Sequence, residues 1–218
     1  MSRRPPLFDE HYYRAAYRDY SRQNPPRKLR FYHRLLAAHL GSPGPVSVLD
    51  VGCAFGGFLE ALPREWQRYG IDASAYAIEQ GRARLPGISL AAATLQATPF
   101  RGPFDAVTSF DVIEHIADLD GVARMVHGLL KPGGVFVFVV PVYDGPLGWL
   151  VRRLDKDPTH IHKMSRNFWL EWAARTFEVQ EWLGTYRYLT PLGLYVHFAS
   201  RRLRRWSPAV AVAARRRN

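Results

Sequence analysis

The sequence predicts an α/β fold on a mostly parallel sheet, and three observations carry that prediction. Short apolar runs at residues 46–51, 68–71, 88–93, 104–110 and 134–140 alternate with helical windows near 56–62, 75–84, 113–130 and 166–176. Strands and helices at this spacing make βαβ units with right-handed crossovers. The stretch VFVFVV at 135–140 is apolar without a break, as a strand covered on both faces must be. The stretch VSVLDVGCAFGGFLEAL at 46–62 passes from an apolar run through an acid and glycines into a helical period, which reads as strand, turn and helix.

The elements follow in order. Residues 8–40 have a helical pattern rich in tyrosine (Tyr12, Tyr13, Tyr17, Tyr20, Tyr32), interrupted at Asn24-Pro25-Pro26. Gly41-Ser-Pro-Gly-Pro45 separates this region from the first strand. Lys131-Pro-Gly-Gly134 ends a helix and turns into the most apolar strand. Farther on, 177–183 and 210–214 are candidate last strands, and 192–206 reads as a helix that is basic towards its end.

Composition bounds the function. With 218 residues, 47% of them hydrophobic, the chain can bury one full core and is short for two. The single cysteine, Cys53, excludes an intrachain disulfide and fits a reducing compartment. The first residues lack the apolar segment of a secretory signal. The greasy stretch 135–150 contains Pro141, Asp144, Gly145 and Pro146, so it cannot span a bilayer as a helix. A soluble, cytoplasmic protein is the expectation. The formal charge is +11, and residues 201–218 hold seven arginines and no acid. Nucleic acid, acidic lipid headgroups or an anionic substrate can use such a tail, and a plainly solvated basic surface accounts for it equally well.

The glycine turn fails the phosphate motifs. A P-loop, G-x-x-x-x-G-K-S/T, needs a lysine that residues 52–59 do not supply. The dinucleotide fingerprint G-x-G-x-x-G fails because Ala54 occupies the place of the second glycine, where pyrophosphate approaches. What stands is D-x-G-x-x-x-G, with Asp50 ahead of Gly52 and Gly56. An acid there repels phosphate and suits a cationic group. Asp72 follows the next strand at about the twenty-residue offset at which α/β nucleotide sites hold a ribose diol. A ligand with a ribose, a positive charge and no phosphate describes S-adenosylmethionine.

VLDVGCAFGGFLEAL, YGIDAS, FDAVTSFDVIEHI and LLKPGGVFVFVVP, in this order, resemble the successive motifs of class I S-adenosylmethionine-dependent methyltransferases, over residues 45–215. The likeness is nearest to small-molecule methyltransferases of the quinone, sugar and natural-product O-methyltransferase type. It implies a Rossmann-like seven-stranded sheet of order 3-2-1-4-5-7-6 with strand 7 antiparallel and helices on both faces, residues 208–214 being strand 7. It also implies an N-terminal helical lid over the acceptor pocket at 1–44 and a cofactor-binding domain at 45–218, with an insert at 141–165 and a helix at 191–206 near the acceptor.

The resemblance further implies that Asp50, Gly52, Cys53 and Gly56 form the turn under the methionine part of the cofactor. Asp72, with Ala73 beside it, would hold the ribose hydroxyls. Thr94 stands where the family often has an acid for the adenine amino group, so that contact can pass to the Leu95 backbone. Phe110 and Asp111 would face the reactive end. Cys53 reads as small and packed rather than reactive.

Methyl transfer from a sulfonium is an in-line displacement, so the protein mainly positions the acceptor and excludes water. A hydroxyl acceptor also needs a base, which directs attention to histidine. His160 and then His162, in Asp157-Pro-Thr-His160-Ile-His162, are the first candidates, with His115 a third. Asp111-x-x-Glu114-His115 would share one helical face. It resembles the motif with which polyprenyl-quinone O-methyltransferases hold a divalent cation, though Glu-His at this place is also frequent in metal-free relatives.

The reading is therefore a methyltransferase acting on a small-molecule acceptor, with a hydroxyl oxygen favoured and S-adenosylhomocysteine as product. A lipid-linked acceptor at an anionic membrane, bound peripherally through a basic amphipathic helix at 192–206, is an alternative. So is an RNA methyltransferase, disfavoured because Phe110-Asp111-Val112-Ile113 replaces the D/N/S-P-P-Y/F/W of base-amino methyltransferases. A silent S-adenosylmethionine-binding protein is the non-enzymatic alternative.

Overall fold

A computed structural model describes residues 23–41, 44–155, 157–189 and 195–217. Tyr12, Tyr13, Tyr17 and Tyr20, and with them most of the expected N-terminal lid, lie outside the described residues. The elements are α1 (Pro26–Ala37), β1 (Ser47–Val51), α2 (Gly57–Glu60), β2 (Gln67–Asp72), α3 (Ala75–Arg84), β3 (Ser89–Ala92), β4 (Phe104–Phe110), α4 (Leu119–Leu129), β5 (Leu130–Pro141), α5 (Gly148–Leu154), α6 (Arg166–Thr176), β6 (Phe177–Leu189), β7 (Tyr195–Ser200) and β8 (Ala209–Arg216). Short 3-10 turns lie at Leu95–Ala97 and Ile113–His115.

One eight-stranded sheet runs β3-β2-β1-β4-β5-β8-β6-β7. The strands from β3 to β5 pair in parallel, β8 inserts antiparallel beside β5, and β6 pairs antiparallel with β8. The Rossmann-like fold with an antiparallel last strand is as expected, with one strand more than the seven predicted.

Alternation along the central strands builds a core on each face. Phe136, Phe138 and Val140 of β5 point to one cluster with Trp169, Trp172 and Phe177, while Val135, Val137 and Val139 point to another with Tyr32, Leu36, Phe58 and Ile78. The small-residue run of β8 divides in the same way, Val210, Val212 and Ala214 against Ala211 and Ala213. Continuous apolar sequence is thus the signature of burial on both faces. Ser74 caps α3 by accepting from the Ala77 amide, and Ser165 caps α6 by accepting from Phe168.

Two expectations need correction. The helix expected at 192–206 is absent: residues 195–200 are β7, a hairpin partner of β6, and a turn region follows. Leu194, Tyr195 and Phe198 have helical spacing, but Val196-His197-Phe198 also alternates, and the free edge of β6 satisfies the backbone of an added strand. In that alternation His197 is buried while Val196 and Phe198 face outward, and Phe198 stacks on Tyr186 across the hairpin. The basic amphipathic helix proposed for membrane contact therefore does not exist, and Leu203 and Trp206 are exposed on the turn instead.

The helix expected at 113–130 is broken in two. Asp111 adopts a left-handed conformation (φ 58°), a 3-10 turn follows, and α4 starts only at Leu119. Asp118 stops the turn and caps α4 by accepting from the Gly121 amide. Asp111, Glu114 and His115 consequently do not share one helical face.

Trp172 measures the first core. It is buried against Phe136 and Phe138 and donates its indole N–H to the Leu119 carbonyl at 3.3 Å. Trp172→Ala is expected to destabilise the fold by about 3–5 kcal/mol in urea denaturation, in the range of large-to-small core changes.

Candidate active site

The turn after β1 is held in a shape that few residues adopt. Gly52, Ala54 and Gly56 all have positive φ (77°, 48° and 79°). At Gly52 a β-carbon would lie 2.2 Å from Val112 Cγ2, so the close approach of the two chain segments requires glycine there. The Gly52 and Cys53 amides donate to the Ile71 carbonyl, and Asp72 closes the turn from the far side. One Asp72 oxygen accepts from the Ala54 amide and the other from Ser74, both at 2.9 Å. An ionised carboxylate has further lone pairs beyond these two bonds for a ligand's hydroxyls.

The strand ends and loops on this side enclose a cavity of about 760 Å³. That lies within the roughly 300–1,000 Å³ of small-molecule sites. Asp50, Gly52, Cys53, Asp72, Ala73, Thr94, Leu95, Phe110, Asp111 and His115 line it. Gly56 does not; it serves as the left-handed N-cap of α2. Asp50 is buried, accepts from the Thr108 hydroxyl at 2.6 Å, and is pushed up to about 7 by burial, with neighbouring Asp72 adding to the effect. Burial, with Asp50 and Asp72 nearby, also pushes the Cys53 thiol well up, so it stays protonated and unreactive.

Of the opposite wall, α1 lies within the segment 1–44 expected to cover the acceptor pocket, whereas sequence reasoning missed Arg187 of β6. Lys28, Leu29 and Tyr32 of α1 and Arg187 of β6 line the same cavity. Tyr32 stacks on Phe110 with ring centroids 4.1 Å apart. Lys28 is buried, and burial lowers it to about 8. Asp111 pairs with Arg187. Burial alone would raise the Asp111 carboxyl, but Arg187 and Lys28 outweigh it and hold it below its usual value. No local pattern links 28, 111 and 187; only the strand order brings them together.

The histidine segment lies behind this cavity. Thr159 donates its hydroxyl proton to Asp157 (2.5 Å) and so must accept from His115 Nδ1, 2.9 Å away. Neutral His115 therefore carries its proton on Nδ1. His160 Nδ1 contacts Asp155 at 3.0 Å, a carboxylate that also takes Tyr143 Oη at 2.6 Å and Lys163 Nζ at 2.8 Å. His162 Nε2 bonds the Ile116 carbonyl at 3.0 Å, and its amide bonds the Glu114 carbonyl. Of the three candidate histidines, His115 lines the cavity, whereas His160 and His162 are not among the lining residues.

Glu114 is fully buried, both its oxygens lack a hydrogen-bond partner, and burial followed by Asp111 raises its carboxyl well above the usual value. Glu114, His115 and His160 offer ligand atoms within 4.8 Å of one another. The cluster with metal-ligand chemistry thus has His160 where the sequence placed Asp111.

Asp50 sets a pH signature. Its folded pKa lies above the ordinary 3.8, so its contribution to stability is full below 3.8 and is lost as pH rises through about 7. In denaturation of the ligand-free protein across this window, Asp50→Asn is expected to remove a fall on the order of a few kcal/mol.

A methyltransferase-domain family model matches residues 17–206. The ubiquinone biosynthesis O-methyltransferase of Leptothrix cholodnii is 34% identical over 122 residues, 51% of this chain and 51% of that protein. The trans-aconitate 2-methyltransferase of Rhodopseudomonas palustris is 33% identical over 152 residues, covering 68% and 55%. The chain thus spans about half the length of the curated relatives it matches. Among solved structures, the methyltransferase complexed with the Haloferax volcanii Trm112 activator superposes with a TM-score of 0.72 at 17% identity, covering 97% of this chain and 100% of that one. The geranyl diphosphate C-methyltransferase of Streptomyces coelicolor, solved with Mg2+ and S-adenosylhomocysteine, superposes with 0.65 at 20% identity, covering 87% and 77%. With the acid-flanked turn, Asp72 and a cavity of fitting size already in place, these matches identify the chain as a member of the class I S-adenosylmethionine-dependent methyltransferases.

Proposed function

We propose that this chain moves a methyl group from S-adenosylmethionine to a hydroxyl of a small-molecule acceptor, with His115 as the base. The carrying observation is the position of His115: of the three candidate histidines it is the one among the residues that line the cavity, and Thr159 holds its Nδ1. The bound cofactor supplies a methyl group on a sulfonium that is already a good leaving group. Asp72 accepts the ribose hydroxyls, Thr94 and Leu95 border the base, and Asp50 and the Gly52 turn hold the aminoacyl end. Tyr32 stacked on Phe110 shields the reacting end from water. His115 takes the acceptor proton as the new oxygen–carbon bond forms. Asp157 and Thr159 fix its tautomer, and His160 lies behind it with the ring centroids 4.7 Å apart.

The test is calorimetry with S-adenosylhomocysteine, then methyl transfer to a panel of phenols, sugars and quinol analogues. The S-adenosylhomocysteine should bind, and His115→Gln should lower kcat by about 10²–10⁴-fold, the usual range for a general base. Thr159→Val should lower kcat without raising the acceptor KM. Full turnover by His115→Gln would remove His115 from the chemistry, and cofactor binding without turnover on any acceptor would favour the silent binder.

A second reading, a lipid-linked acceptor, is favoured by one surface observation. Trp149 and Leu154 of α5 and Leu203 and Trp206 of the turn after β7 are exposed, with Arg152, Arg153, Arg201, Arg202, Arg204 and Arg205 as sequence neighbours. Apolar anchors among arginines suit an anionic interface. No helix among the described residues is long and apolar enough to cross a membrane. Co-sedimentation with anionic vesicles should occur at low salt, and Trp149→Ser with Trp206→Ser should abolish it; no binding at low salt would rule this reading out.

A further inference from the structure

The base of the methyl donor has one direction open to it. A ribose joins its base on one side and the sulfur arm on the other. With the ribose at Asp72 and the aminoacyl arm on the glycine turn, the base points away from that turn. In the sheet, β2, which ends at Asp72, lies between β1, which carries the turn, and β3. The chain leaving β3 stays tied to β2, because the Ala93 amide donates to the Asp72 carbonyl at 2.9 Å. Ala93, Thr94, Leu95 and Gln96 then line the cavity. Ile116 and Ala117, which lead into α4, line it as well, and α4 packs on the 3-10 turn Leu95–Ala97.

None of these six residues carries a charge. Of the acids that line the cavity, Asp50 accepts from Thr108 and Asp111 pairs with Arg187, while Asp72 is given to the ribose. The polar side chains left to meet the base are the Thr94 hydroxyl and the Gln96 carboxamide. Among the described residues neither is committed to a hydrogen bond. A hydroxyl and a carboxamide each offer a donor and an acceptor, whereas an ionised carboxylate only accepts. The Leu95 backbone, with one amide and one carbonyl, offers both kinds of partner too. An acceptor-only partner demands the 6-amino group of adenine, since a 6-oxo group would set two oxygen lone pairs against each other. Two-sided partners meet either group.

We infer that Thr94 and Gln96 set the base specificity of the donor site and leave it loose, so that a purine with a 6-oxo group in place of the 6-amino group also binds. This rests on the donor placement given above and not on the acceptor. It makes the two residues specificity determinants: a carboxylate at either place would restore the demand for an amino group.

The experiment is calorimetry on the full chain with S-adenosylhomocysteine and its 6-oxo counterpart, S-inosylhomocysteine. The parent should bind the two within about tenfold of each other, roughly the worth of one ordinary hydrogen bond. Thr94→Asp and Gln96→Glu each turn a two-sided group into one that only accepts. At least one of them should widen the preference for the adenosyl compound by about tenfold or more. Thermal unfolding of both variants guards against loss of fold, and the comparison within the parent needs no variant. A parent preference above about tenfold, or one that neither carboxylate variant widens, would overturn the inference and leave the donor placement standing. Failure of the parent to bind S-adenosylhomocysteine would overturn that placement and this inference with it.

Discussion

The carboxylate of Asp72, bridging the Ala54 and Ser74 amides, is the interaction on which the site depends. It ties the turn after β1 to the start of α3, where Phe55 also meets Tyr76 edge-on. With the Gly52 and Cys53 amides bonded to Ile71, the turn is held from both sides. Three positive φ angles become tolerable because the surrounding bonds over-determine them. A cradle built in this way is preorganised: its bonds are made before a ligand arrives, so little ordering remains to oppose binding.

Burial governs the chemistry around that cradle. Asp50 rises to about 7 because it is buried, while Asp111, which is partly exposed, stays ionised because two cations neighbour it. Two carboxylates on neighbouring strands thus carry different charges from environment alone. The histidine segment works through hydrogen bonds instead. Asp157, through Thr159, and Asp155 orient His115 and His160.

The insertion of β8 between β5 and β6 has a consequence for the cavity. It carries β6 away from β1, although Arg187 of β6 and the glycine turn line the same cavity. The β7 hairpin extends the sheet beyond β6 and buries His197 beneath α1.

Period and spacing alone determined the parallel sheet, the two-faced burial of VFVFVV, and the glycine turn followed by Asp72. These are local: alternation and a glycine before a close approach are each written within a few neighbours. Residues 195–200 were ambiguous because their apolar spacing fits both periods, and an open edge on β6 decided for strand. Residues 111–118 departed from a helix because Asp111 turns left-handed and Asp118 starts a new cap, and that same turn sends Asp111 to Arg187 rather than beside His115. The exchange of Asp111 for His160 beside Glu114, the tautomer of His115 and the Lys28–Asp111–Arg187 cluster arise from tertiary structure alone. They join residues tens of positions apart, and no one-dimensional pattern encodes which strand lies next to which.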